Sequence, residues 1–179
     1  MPTTFGIVGK VSLTSDTSTI SFTSLSGATH LFLAFNLKTN ATSGFANESF
    51  KLTFNNSSGT TAYYGIRQYF FGTTVGADEI SYSVSGLQQF YGSYVNRTSN
   101  STSTTFGAGQ IWIGNYANTT RGKTIITQSN MNVSSGTGYG SLVSGRWENT
   151  AAVTSIELAP LNGSNFISGS YAVLYALKD

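Results

Sequence analysis

Residues 29–39 read "THLFLAFNLKT", and their period is two. Leu31, Leu33, Phe35 and Leu37 fall on one face of an extended chain, while His30, Phe32, Ala34, Asn36 and Lys38 fall on the other. A helix would scatter these groups around its axis, whereas a strand sorts them onto a core face and an outer face. The same alternation recurs in "FKLTFN" through Phe50, Leu52 and Phe54, in "EISYSV" through Ile80, Tyr82 and Val84, and in "YAVLYALK" through Tyr171, Val173, Tyr175 and Leu177. With "TISFTSL", "AYYGIRQYFF", "GQIWIGNY", "KTIITQS", "GSLVSGRW" and "VTSIELAP", about ten short strands emerge between Gly/Ser/Asn turns. A polar turn, Asn162-Gly163-Ser164-Asn165, separates the last two apolar runs.

Helical signals are weak. Only "SGLQQFYGSY" (85–94) offers a turn or two, bracketed by Gly86 and Gly92. Many short strands without helical crossovers predict an all-β chain, an antiparallel β-sandwich of jelly-roll type with about 8–10 strands. At 179 residues the chain is one domain long, residues 1–179, with residues 1–15 expected as an N-terminal arm. "SYVNRTSNSTSTTFG" (93–107) reads as a long exposed loop and "SSGTGYGS" (134–141) as a hairpin loop.

Only 9% of the residues are charged and the net charge is +2, so Ser, Thr, Asn and Gly must carry solubility. Such a surface repels little and suits permanent contact with neighbours. The nine basic residues are scattered, which argues against nucleic acid as a partner. No apolar run approaches the roughly 20 residues of a membrane span, and "MPTTFGIVGKVSL" lacks the order of a signal peptide. Synthesis in the cytoplasm, without membrane association, is the expectation. The nine Asn-x-Ser/Thr triplets, Asn40, Asn55, Asn118 and Asn162 among them, are read as turn chemistry.

Catalytic signals are equally sparse. With no cysteine and a single histidine, His30, the chain lacks the usual metal-cluster and triad components, and no Gly-x-Ser-x-Gly elbow occurs. Nothing singles out a carboxylate pair for glycoside hydrolysis among Asp16, Glu48, Asp78, Glu79, Glu148, Glu157 and Asp179. No enzymatic activity, catalytic residue, metal or cofactor is therefore expected.

Aromatic residues carry more information. Tyr63, Tyr64, Tyr69, Phe70 and Phe71 crowd one segment, and Trp112 alternates with Ile111 and Ile113. Exposed Tyr and Trp on a β face anchor subunit interfaces or stack on sugar rings. The expected partner-binding residues are Phe5, Ile7 and Val8 in the arm, with Tyr63, Tyr64 and Trp112 on strands.

From Gly109 onward the chain resembles small bacteriophage virion proteins common among phages of cyanobacteria and marine bacteria. The likeness rests on Asn115-Tyr116-Ala117-Asn118-Thr119-Thr120 with Lys123-Thr124, on the segment from Trp147 to Ile156, and on Asn165-Phe166, Gly169-Ser170 and Leu174-Tyr175. The N-terminal half agrees mainly in pattern. Ala176 is a departure, since such proteins usually carry glycine after the tyrosine. The resemblance implies a β-sandwich part of a virion with no chemistry of its own. Its first form is a capsid decoration or cement protein, a homotrimer held on the major capsid protein at the outer surface of the shell. The alternative is a tail-fibre or receptor-binding module that recognises host surface glycans through exposed aromatics. A strand pattern that starts soon after Met1 and runs to the last residues favours the first.

Overall fold

The computed structural model describes residues 4–42, 48–56, 63–81, 90–98, 104–133 and 136–178. All its regular structure is β, in twelve strands among the described residues. They are β1 (Thr4–Ser12), β2 (Ile20–Phe22), β3 (His30–Thr39), β4 (Glu48–Phe54), β5 (Tyr63–Phe71) and β6 (Thr74–Ser81). There follow β7 (Phe90–Arg97), β8 (Gly107–Gly114), β9 (Lys123–Asn132), β10 (Gly138–Trp147), β11 (Ile156–Pro160) and β12 (Tyr171–Lys178).

Eight strands form one antiparallel ladder in the order β1-β12-β3-β8-β9-β10-β5-β6. Four others, β2-β11-β4-β7, form a second. The two join at one corner, where Lys38 and Thr39 at the end of β3 run parallel to Asn96 and Arg97 of β7. The all-β class expected from the sequence is shown, with strands divided eight against four and joined by one parallel contact.

Leu31, Leu33, Phe35 and Leu37 are all buried, as their alternation requires. They share one core cluster with Ile111, Ile113, Ile125 and Val143 of the larger ladder and with Phe50, Leu52, Phe54, Ile156 and Leu158 of the smaller. Rings interlock between the ladders: Phe35 meets Phe50 edge-on at 5.0 Å, and Phe54 meets Trp147 at 5.4 Å. Edge-to-face contact places the positive ring edge on the negative ring face, which stabilises the junction beyond area burial.

Three expectations need correction. Most of the expected arm is strand β1, paired with β12 from Thr4 to Ser12. Its position against the core at Phe22 is taken by Gly9, so the apolar alternation is broken there. Gly9 is needed there, because a Cβ would lie 2.5 Å from the Phe22 ring. Phe90 to Tyr94 of the expected helical turn belong to β7, where pairing with β4 overrides local propensity; residues 85–89 lie outside the described residues. The same strand takes Ser93–Arg97 from the expected long loop, and Tyr94 N–H donates to Ser129 Oγ at 2.7 Å. The segment 134–141 does close a hairpin, between β9 and β10, although Ser134 and Ser135 lie outside the described residues.

The two runs around Asn162-Gly163-Ser164-Asn165 are not partners: β11 lies in the four-stranded ladder and β12 in the eight-stranded one. The turn carries the chain from one ladder to the other. Buried Glu48 accepts from Asn162 N–H at 2.9 Å and from Asn162 Nδ2 at 3.0 Å, while Asn40 Oδ1 accepts from Ser164 and Asn165 N–H, each at 2.9 Å.

Tyr63 gives the fold a pH limit. Phe54 N–H donates to its hydroxyl at 3.0 Å, and burial pushes the phenol well above the usual tyrosine range. The folded state therefore holds a proton that the unfolded chain releases near pH 10, so stability is full below that pH and falls as pH rises beyond it. Chemical denaturation between pH 8 and 11 is expected to show this loss and a shallower one in Tyr63→Phe. Equal slopes in the two proteins would refute the assignment.

Candidate functional site

The outward face of the eight-stranded ladder is the candidate site, and strand register builds it row by row. Ile7 pairs with Tyr175, Tyr175 with Phe32, Phe32 with Trp112, Trp112 with Ile126, Ile126 with Ser144, and Ser144 with Ile66. Paired residues share a face, so an aromatic and aliphatic stripe crosses seven strands. Phe5 stacks on Tyr175 at 4.8 Å, and His30 stacks on Trp112 at 5.2 Å. Among the described residues, every exposed large hydrophobic side chain lies on β1, β5, β6, β9 or β10, and none lies on the smaller ladder. Contiguous apolar surface of this kind marks contact with another molecule.

The structure divides the expected partner-binding residues. Phe5 and Ile7 are exposed, Ile7 by 63%, and point outward from edge strand β1. Val8 is the extra residue of a bulge between Ile7 and Gly9, also exposed. Bulges blunt edge strands against indiscriminate pairing, so this edge is shaped rather than open. Tyr64 is exposed at the far end of the same face, and Trp112 is half-buried near its middle. Tyr63 must be withdrawn: it is 2% exposed and packs among Phe54 and Trp147. Adjacent tyrosines on a strand face opposite ways, and sequence alone did not say which of the two was outward.

Two shallow concavities lie on the β9–β10–β5 part of the face. One, of about 670 Å³, lies among Tyr64, Ile66, Thr124, Ser144 and Arg146; the other, of about 680 Å³, lies among Phe70, Ala108, Gln110, Gln128, Asn130 and Leu142. Sequence reading missed the second because its floor is defined by small residues, Ala108 and Gly140, which carry no alternation signal. The one available signal was Phe70 itself, in the aromatic run around β5.

Several polar and charged side chains are held by neighbours within the chain. His30 Nδ1 accepts from Asn115 N–H at 3.1 Å, Asp16 accepts from Ser168 N–H at 3.0 Å, and Arg67 grips Asp78 through two contacts of 2.9 and 2.5 Å. Arg146 pairs with Glu148. Among the described residues, no three His, Cys, Asp or Glu side chains gather as a metal site would require.

The residues on which the expected resemblance rests do internal work. Asn118 Oδ1 caps its turn by accepting from Thr120 and Arg121 N–H, at 2.8 and 2.9 Å. Tyr116 is buried and its carbonyl accepts from Val153 N–H at 2.8 Å. Lys123 is wholly buried, and its ammonium donates to the carbonyls of Arg121 and Thr150 at 2.8 and 3.1 Å. Burial pushes its pKa below the usual lysine range. These groups tie the β8–β9 connection to the segment after Trp147. No protein-family model, curated protein or solved structure matches this chain.

Proposed function

We propose that this protein is a non-enzymatic virion structural protein, a capsid decoration or cement protein that binds the outside of the assembled shell. The observation that carries the reading is the one-sided distribution of exposed apolar groups: the larger ladder and its β1 edge carry them, and the smaller ladder carries none among the described residues. The resemblance from Gly109 onward supplies the virion context. Phe5, Ile7 and Val8 are the anchors, with the major capsid protein and further copies of this chain, in a homotrimer, as partners. A molecule that binds only the assembled shell stabilises it by its binding free energy. Few charges keep repulsion among crowded copies low. Synthesis in the host cytoplasm and residence on the capsid surface follow from this reading.

A second reading is a tail-fibre or receptor-binding module for host glycans. Exposed Tyr64 and Phe70, each beside a concavity, favour it.

Immunogold labelling of intact particles separates the two: gold over heads is the expected result, gold on tails selects the second reading, and unlabelled particles with denatured controls also negative overturn both. The anchor is tested by Ile7→Asp. Removing a central apolar contact typically costs more than about 1 kcal/mol, so retention on particles is expected to fall about tenfold with an unchanged circular dichroism spectrum. Retention equal to the parent protein would remove the β1 edge from the contact.

A further inference from the structure

We infer that the β9–β10–β5 part of the outer face binds a neutral, linear oligosaccharide along β10. This inference rests on the glycan recognition of the second reading, names its site and ligand class, and holds for a head or a tail location.

The trough is built by register. Phe70 pairs with Gly140, Gly140 with Asn130, and Asn130 with Ala108, all on the outward face. A Cβ at Gly140 would stand 3.4 Å from Phe70 Cδ2, so the ring leans across the glycine. Such a cross-strand pair supports an aromatic ring from below and, at 41% exposure, leaves Phe70 open to a ligand. In the next row Gln110 Nε2 donates to Gln128 Oε1 at 3.2 Å. That bond uses one donor and one lone pair, and each carboxamide keeps further donor and acceptor capacity. A ring platform beside fixed amides matches a sugar, which has an apolar C–H face and a rim of hydroxyls that both donate and accept.

Tyr64 and Phe70 point the same way from β5, six residues apart, about 20 Å along the strand. They mark the two ends of a path that joins both concavities and suits a short chain of sugars rather than a single ring. Charge selects the class. Arg146, the one cation that lines the path among the described residues, is paired with Glu148, so the path offers no unopposed cation there for an acidic glycan. The β1 edge lies five strand spacings from β10, about 24 Å, so capsid contact through Phe5 and Ile7 leaves the trough accessible.

The test is an array of neutral and acidic oligosaccharides, followed by calorimetric titration of the full chain with neutral hexose tetrasaccharides. Binding of a neutral member is expected, weakened about tenfold or more in Phe70→Ala and in Gln128→Ala and unchanged in Phe5→Ala. No binding at millimolar sugar, binding of acidic members alone, or equal affinity in Phe70→Ala would each overturn the inference. So would loss of self-association in Leu142→Asp, read by light scattering, because it would make this face a contact between copies. Particle labelling by Phe70→Ala is expected to match the parent protein, so a negative array leaves the decoration reading standing.

Discussion

Trp147→Ala is expected to lower the unfolding free energy by about 3–5 kcal/mol, the usual range for truncating a large buried aromatic. Trp147 is 1% exposed and closes the end of the core where β10 meets β5 and β9. It touches Phe54 edge-on across the ladders, stacks on Tyr63 at 6.3 Å, and lies under the Lys123 ammonium at 5.9 Å. Its indole N–H has no hydrogen-bond partner among the described residues, so the loss is one of packing and cation–π contact alone. Trp147→Phe should therefore recover most of the stability, leaving a deficit of roughly 1–2 kcal/mol from the unfilled volume. Urea denaturation of the three proteins checks both numbers, and a Phe variant as unstable as the Ala variant would show that the indole nitrogen matters after all.

Glu48→Ala is expected to cost about 2–3 kcal/mol, although it removes a charged group from a protein with few of them. The carboxylate is 1% exposed and receives the backbone and side-chain N–H groups of Asn162. Removing it gives up hydrogen bonds to a charged acceptor, worth about 1.5–3 kcal/mol, which solvent at the exposed Asn162 replaces only in part. The cost exceeds that of an average surface change because the turn links the two ladders. Thermal melting is the measurement: a fall of several degrees is expected for Glu48→Ala, a smaller one for Glu48→Gln, which keeps one carbonyl acceptor. Full retention of Tm in Glu48→Ala would mean that Asn40 alone holds the turn.

Much of the larger ladder was legible because burial on one face leaves a period-two imprint. Leu31 to Leu37 in β3 carry that imprint, whereas β9 and β10 alternate in burial with Lys123, Thr127, Ser129 and Ser141 on the buried side and Ile126 and Leu142 on the outer one. β1 and β7 left weaker imprints. In β1 glycine takes the core-facing position 9, and in β7 the polar residues Asn96 and Arg97 lie at the corner where the ladders meet. Of the residues expected at the surface, Phe5, Ile7, Val8 and Tyr64 are exposed, whereas Tyr63 was assigned to the wrong side. Phe70 was visible only as one member of an aromatic run, since its use depends on Gly140 and Asn130 from other strands.

The amino-acid sequence by itself determined that this chain is all-β and low in charge. Composition and local periodicity are properties of neighbouring residues, and they survive without any long-range contact. Tertiary structure alone decided the eight-and-four division of strands, the route of the Asn162–Asn165 turn between ladders, and the single outer face on which Ile7, Trp112, Ile126 and Ile66 line up. Those features depend on the register between strands far apart in the chain, and register is set by how whole faces pack against one another.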